Sequence, residues 1–101
     1  MKGPSQTSCL KILFGKGRIE VLYFIEERGR VRFADIRKFC LEKGIVRSRG
    51  TVPIILRNLT NIRLIERKVV ATRPVQIFYE ITSLGKQVVG HLKAIEELLR
   101  R

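Results

Sequence analysis

A chain of 101 residues buries one modest core and leaves little room for a separate catalytic or effector domain. Its 21 Lys and Arg stand against 9 Asp and Glu, and a net charge of +12 draws polyanions through counterion release. The excess is concentrated, because residues 45–74 hold 7 basic and 1 acidic group while residues 1–44 hold 10 and 5 and residues 75–101 hold 4 and 3, a distribution that solubility alone does not require.

Residues 1–8 are polar with an early Gly-Pro and read as a flexible tail, so the folded domain is expected over 9–101. Leu10, Leu13 and Phe14 then fall at i, i+3 and i+4 and predict a short helix ending at Gly15-Lys16-Gly17. Ile19, Leu22, Tyr23 and Ile25 put apolar groups on one face of a second helix, which Gly29 stops. Val31-Arg32-Phe33 alternates as a short strand, and Ile36, Phe39 and Cys40 line a third helix over 34–43 with Gly44 as its stop. A fourth helix follows the linker Ile45-Val46-Arg47. Its N-cap is Ser48 or Thr51, and Pro53, tolerated only in a first turn, sets the start of the regular helix near Thr51.

On that helix Val52, Ile55, Leu56 and Leu59 make a core face, and Ile54, Arg57, Asn58 and Asn61 repeat the same spacing opposite it. Residues 64–70 and 75–81 are rich in β-branched and aromatic types and flank the turn Ala71-Thr72-Arg73-Pro74, which predicts a hairpin. Thr82 or Ser83 caps a long last helix over 83–101. Its stripe of Leu84, Val88, Leu92, Ile95 and Leu99, widened by Val89 and Leu98, is more than one small body covers. Leu84 and Val88 are expected against that body. Leu92, Ile95, Leu98 and Leu99, with Leu10, Leu13 and Phe14, are expected to pair two copies in a homodimer. The fold class is therefore α+β, mostly helical: a winged helix-turn-helix with a C-terminal dimerisation helix.

Such a fold sets its second helix into the DNA major groove and its hairpin against the backbone or minor groove. Arg and Asn give paired hydrogen bonds to guanine and adenine edges, and Thr or Ile methyls meet thymine. Arg49, Thr51, Ile54, Arg57 and Asn58 are the candidate base contacts. Arg47, Ser48, Asn61, Arg67, Lys68 and Arg73 are the candidate backbone or wing contacts. Arg30 and Arg32 on the short strand, and Lys11, Lys16 and Arg18 near a helix start, are weaker versions of the same case.

From Leu13 to Leu99 the chain resembles the HxlR group of winged-helix transcriptional regulators, within the MarR-like superfamily. The matching pieces are Gly15-Lys16, Arg32-Phe33 with Asp35-Ile36, Ser48 through Leu59, and Leu64-Ile65-Glu66-Arg67 entering the wing. The most specific is Phe78-Tyr79-Glu80-Ile81-Thr82-Ser83-Leu84-Gly85-Lys86 leaving it. The resemblance implies a homodimeric DNA-binding repressor or activator. Gly17 stands where the group has Trp, and Arg63 where it has Gly before the Leu that starts the wing. Cys9 lies nearer to Gly-Lys than the group's N-terminal Cys, so redox sensing is not carried over.

An enzyme is not expected: His91 is the only histidine, no carboxylate pair is framed by a pocket motif, and no Gly-rich loop follows a strand. Cys9 and Cys40 are too few and too far apart for a metal centre, and no cofactor is expected, although a disulfide between them stays open. No apolar run approaches the ~20 residues that span a bilayer, and residues 1–8 lack a signal peptide's apolar core. The expected location is the cytoplasm, on the nucleoid in a prokaryote. The alternative function is a winged helix used for protein-protein assembly without DNA readout, a use that typically loses the basic recognition face.

Overall fold

The computed structural model describes residues 5–46 and 50–101. Among them the order is α1 (Ser5–Leu13), α2 (Arg18–Arg28), β1 (Arg30–Arg32), α3 (Phe33–Glu42), α4 (Thr51–Asn61), β2 (Ile65–Val70), β3 (Gln76–Ile81) and α5 (Ser83–Arg100). This is the anticipated winged helix-turn-helix, α3 and α4 forming the helical pair and β2 and β3 the wing. The sheet is antiparallel in the order β1-β3-β2, with Val31 opposite Tyr79 and Arg67 opposite Tyr79 on the other side. β2 is thus an outer strand with one open edge.

Beyond shifts of one residue at α3, β2, β3 and α5, the boundary differences from the sequence reading lie at α1 and β1. α1 begins at Ser5, inside the stretch expected as a tail, because polar residues 5–8 form helix before the apolar periodicity of Leu10 and Leu13 announces it. β1 ends at Arg32, which takes an extended N-cap conformation with ψ 152°, so Phe33 opens α3 instead of closing the strand and packs at the edge of the core.

The core is built on the apolar face of α4. Val52, Ile55, Leu56 and Leu59 are at most 1% exposed and meet Val21, Leu22 and Ile25 of α2 and Ile36 and Cys40 of α3. Burying each such aliphatic side chain is worth about 1.5–3 kcal/mol. Burial, and then the charge of Glu20, push the Cys40 thiol up to about 11, so it behaves as a core hydrophobe.

α3 and α4 end in the same way. After α3, the Ile45 N–H bonds the Cys40 carbonyl at 2.9 Å and the Gly44 N–H the Leu41 carbonyl at 3.3 Å. After α4, the Leu64 N–H bonds the Leu59 carbonyl at 3.1 Å and the Arg63 N–H the Thr60 carbonyl at 3.0 Å. Both are Schellman stops that need a left-handed residue, and both turn residues have φ 67°. Glycine meets that demand at α3; an arginine meets it at α4, at a steric cost of about 1–2 kcal/mol.

α5 is seated by Thr82. Its hydroxyl donates to the Arg63 carbonyl at 2.7 Å and accepts from the Gly85 N–H at 2.9 Å, while its own N–H reaches the Leu64 carbonyl at 3.0 Å. Gly85 lies flat on that turn, where a Cβ would collide with the Leu64 carbonyl oxygen. Tyr23 Oη donates to Glu96 at 3.0 Å, and Lys93 lies 3.6 Å from Glu26, tying α2 to α5. Burial, and next the hydrogen bond to Glu96, raise the Tyr23 hydroxyl to about 12.

This seating keeps Val88 against the body, as expected, and corrects the rest of the rotation expected for α5. Gly85, Val89 and Leu92 face the body, Leu92 being 9% exposed, while Leu84 turns outward. Leu92 therefore belongs to the protomer's own core and is withdrawn from the expected dimer face. Leu13 is withdrawn likewise: at 5% exposed it is core, whereas its neighbours Leu10 and Phe14 are out in solvent. Leu84, Ile95, Leu98 and Leu99 remain as large exposed apolar groups on α5.

Candidate nucleic-acid interface

The face of α4 away from the core carries Ile54, Arg57 and Asn61 exposed, with Thr51 and Asn58 half-buried at its margins. Ile54 is 51% exposed and has no core to enter, as its position in the helical repeat requires. Thr60 lies beside this face, but its hydroxyl is already given to the Leu56 carbonyl at 2.7 Å. Arg47, Ser48 and Arg49 lie outside the described residues.

Between α4 and the wing runs a cleft of about 300 Å³, lined by Pro53, Arg57, Thr60, Asn61, Arg67 and Tyr79. It brings the α4 candidates Arg57 and Asn61 to the wing candidate Arg67. Ile54 and Asn58, on the same helix, are not among the residues that line it. A second cleft of about 400 Å³ follows β2 and is lined by Thr60, Arg63, Ile65, Glu66, Arg67, Lys68 and Thr82. Thr60 and Arg67 are common to both. Lys68 lies 3.8 Å from Glu66, an exposed pair worth little in water.

At the wing tip, Arg73 is exposed and precedes Pro74 through a cis peptide bond, and the Thr72 hydroxyl donates to the Pro74 carbonyl at 2.8 Å. Val69 and Val75 are exposed there too, so the tip is apolar as well as basic. The charges of β1 are engaged within the fold. Arg30 lies 2.6 Å from Glu80 and over the Phe78 ring, and Arg32 lies 3.6 Å from Asp35. Arg18 Nη1 donates to the Lys16 carbonyl at 2.9 Å, while Lys11 and Lys16 are exposed.

Sequence reasoning met Arg63 only as a departure from the resembled group's glycine and did not count it among the contacts; it sits at the junction of α4 and the wing. The available signal was its identity: a non-glycine residue at a helix-to-strand turn that favours a left-handed backbone. Among the described residues no three His, Cys, Asp or Glu side chains come together, and no helix is long and apolar enough to cross a membrane.

Solved structures share this architecture. They include the reduced form of the transcriptional regulator YodB from B. subtilis, with 21% identity, a TM-score of 0.74, and coverage of 96% of this chain and 90% of that one. The redox regulator HypR in its oxidized form has 21% identity and a TM-score of 0.75, over 95% and 93%. A protein described as a MarR-family regulator from Enterococcus faecalis has 17% identity and a TM-score of 0.78, over 99% and 89%. No curated protein matches the chain. The family model described as HxlR-like helix-turn-helix matches residues 12–101. With its helical pair, wing and basic interface in that arrangement, the chain belongs to the HxlR-like helix-turn-helix family, a group of DNA-binding transcriptional regulators and not of enzymes.

Proposed function

We propose that the protein reads duplex DNA sequence-specifically as a twofold homodimer, with α4 in the major groove and the wing on the backbone or in the minor groove. The observation that carries this reading is the cleft in which Arg57 and Asn61 of α4 face Arg67 of the wing. A cleft lined by cations and amides, beside an exposed helix face, suits a duplex strand passing between helix and wing. Arg49, Thr51, Ile54, Arg57 and Asn58 act on base edges; Arg47, Ser48, Asn61, Arg67, Lys68 and Arg73 act on phosphates or the minor groove. Residues 9–101 serve as one DNA-binding unit with 83–101 as its pairing helix.

The dimer is supported by Leu10, Phe14, Ile95, Leu98 and Leu99, which are apolar and exposed on the protomer. Isologous pairing covers such a face and spaces two recognition helices for half-sites roughly 34 Å apart. Selection of bound sequences from random duplex DNA, followed by salt titration of the preferred site, tests the reading. A twofold-related consensus and a steep loss of affinity with rising salt are expected. Absence of duplex binding at low salt overturns it.

A further inference from the structure

The geometry points to Arg63 as a phosphate-clamping residue: with Arg67 it holds a backbone phosphodiester of bound duplex at the cleft along the open edge of β2. This rests on the duplex-binding reading above and adds a contact to it.

The backbone turn does not call for an arginine. The same Schellman stop after α3 is made by Gly44 at the same φ of 67°, with the same two hydrogen bonds. Among the described residues, the part of Arg63 that the fold engages is its main chain, whose N–H bonds Thr60 and whose carbonyl accepts from Thr82. Any residue offers those groups. The side chain is exposed and, among the described residues, makes no hydrogen bond or ion pair. A residue kept in a disfavoured conformation with an idle side chain in the free protein directs attention to what that side chain meets when a partner arrives.

The cleft it lines specifies the partner's chemistry. Arg63, Arg67 and Lys68 contribute three cations, and the single carboxylate, Glu66, stands against Lys68, leaving two guanidinium groups uncompensated. The cleft's hydroxyls are already committed: Thr60 donates to the Leu56 carbonyl and Thr82 to the Arg63 carbonyl. The free donors are therefore planar guanidinium groups, which match the paired oxygens of a phosphodiester. Among the described residues no strand covers this edge of the sheet, and Arg67 also lines the cleft that holds Arg57 and Asn61. A phosphate held by Arg63 and Arg67 thus lies beside the strand whose bases α4 faces.

The competing explanation is local. A cation at the end of α4 interacts favourably with the helix dipole, and α4 has no basic residue in its last turn. That role affects stability and leaves the ion release on DNA binding unchanged, which separates the two. The test measures binding of the full chain to its selected duplex and to a random duplex of equal length, across a salt series, alongside thermal melting. Arg63→Gly should melt at or above the wild-type temperature, bind both duplexes about 3- to 10-fold more weakly, and lower the log K against log salt slope by about 0.9, one phosphate's worth. Arg63→Lys should restore most of the slope, since it keeps the charge. An Arg63→Gly protein with wild-type affinity and slope overturns the inference while leaving duplex binding in place. Loss confined to the selected duplex with an unchanged slope also overturns it, because that is base readout. A wild-type protein that binds neither duplex overturns the inference together with the reading beneath it.

Discussion

Two carboxylates at positions 98 and 99 should take the proposed homodimer apart without unfolding the protomer. Leu99 is 79% and Leu98 63% exposed, so pairing removes about one and a half leucine side chains per protomer from water. At about 2 kcal/mol for a fully buried leucine this is about 3 kcal/mol per protomer, and about 6 kcal/mol for a twofold pair. Leu98→Glu with Leu99→Glu forfeits that and places four like charges at the interface. The dissociation constant should rise by at least about 10⁴, at 1.4 kcal/mol per tenfold. Sedimentation velocity at micromolar concentration should show a dimer for the wild type and a monomer for the double variant, with the helical circular dichroism retained. Leu92→Glu should instead cost the fold itself, since Leu92 packs inside the protomer. A wild type that sediments as a monomer, or a double variant that still pairs, refutes the reasoning.

On α5, Gly85→Ala should destabilise by roughly 1–2 kcal/mol, the overpacking against Leu64 outweighing the gain in helix propensity, and lower the melting temperature on the order of 5–10 °C. Gly90→Ala, with nothing within 4 Å of the new Cβ, should raise it, and opposite signs in a melting scan are the check. Arg57→Ala and Asn58→Ala should each weaken the selected duplex by about 1–3 kcal/mol and random duplex much less, whereas Arg73→Ala should weaken both alike; equal losses for Arg57 and Asn58 reassign them to the backbone. Tyr23 has its hydroxyl raised from 10.0 to about 12, so its contribution is whole below pH 10 and is lost as pH rises toward 12. Tyr23→Phe should flatten the decline in stability over that window in urea titrations, by an amount reduced because the hydroxyl is partly exposed.

The helix-turn-helix and wing were legible because their signals are local. Pro53 marks a first turn, Thr82 caps α5, and the two apolar faces of the strands and of α4 follow their periods. The rotation of α5 was not legible. Its apolar stripe is wide enough that either Leu84 or Val89 can face inward, and the choice is made at a distance, by the Thr82 bonds to the α4–β2 turn. Arg63 stood out only as a departure from the resembled group's glycine, and its role did not: the left-handed demand at its position arises from how α4 ends, and an arginine by itself announces no such demand. Among the site residues, chain spacing placed Arg57 and Asn61 on one face of a helix. That Arg67, in the next element of the chain, shares their cleft follows from the register of β2 against β3.

The Thr82 anchorage makes α5 a lever with its pivot at the α4–β2 junction. Eighteen residues at about 1.5 Å each give an arm of about 27 Å. Its root is bonded to the turn that joins the recognition helix to the wing, and its free end carries Leu98 and Leu99. Displacing that far end by about 5 Å corresponds to a tilt of only about 10° at the root, by the same arm length. In the proposed dimer, the angle at which two such arms cross therefore governs how far apart two copies hold their α4 helices. Small differences in pairing at the tip would there become differences in the half-site spacing the proposed pair tolerates.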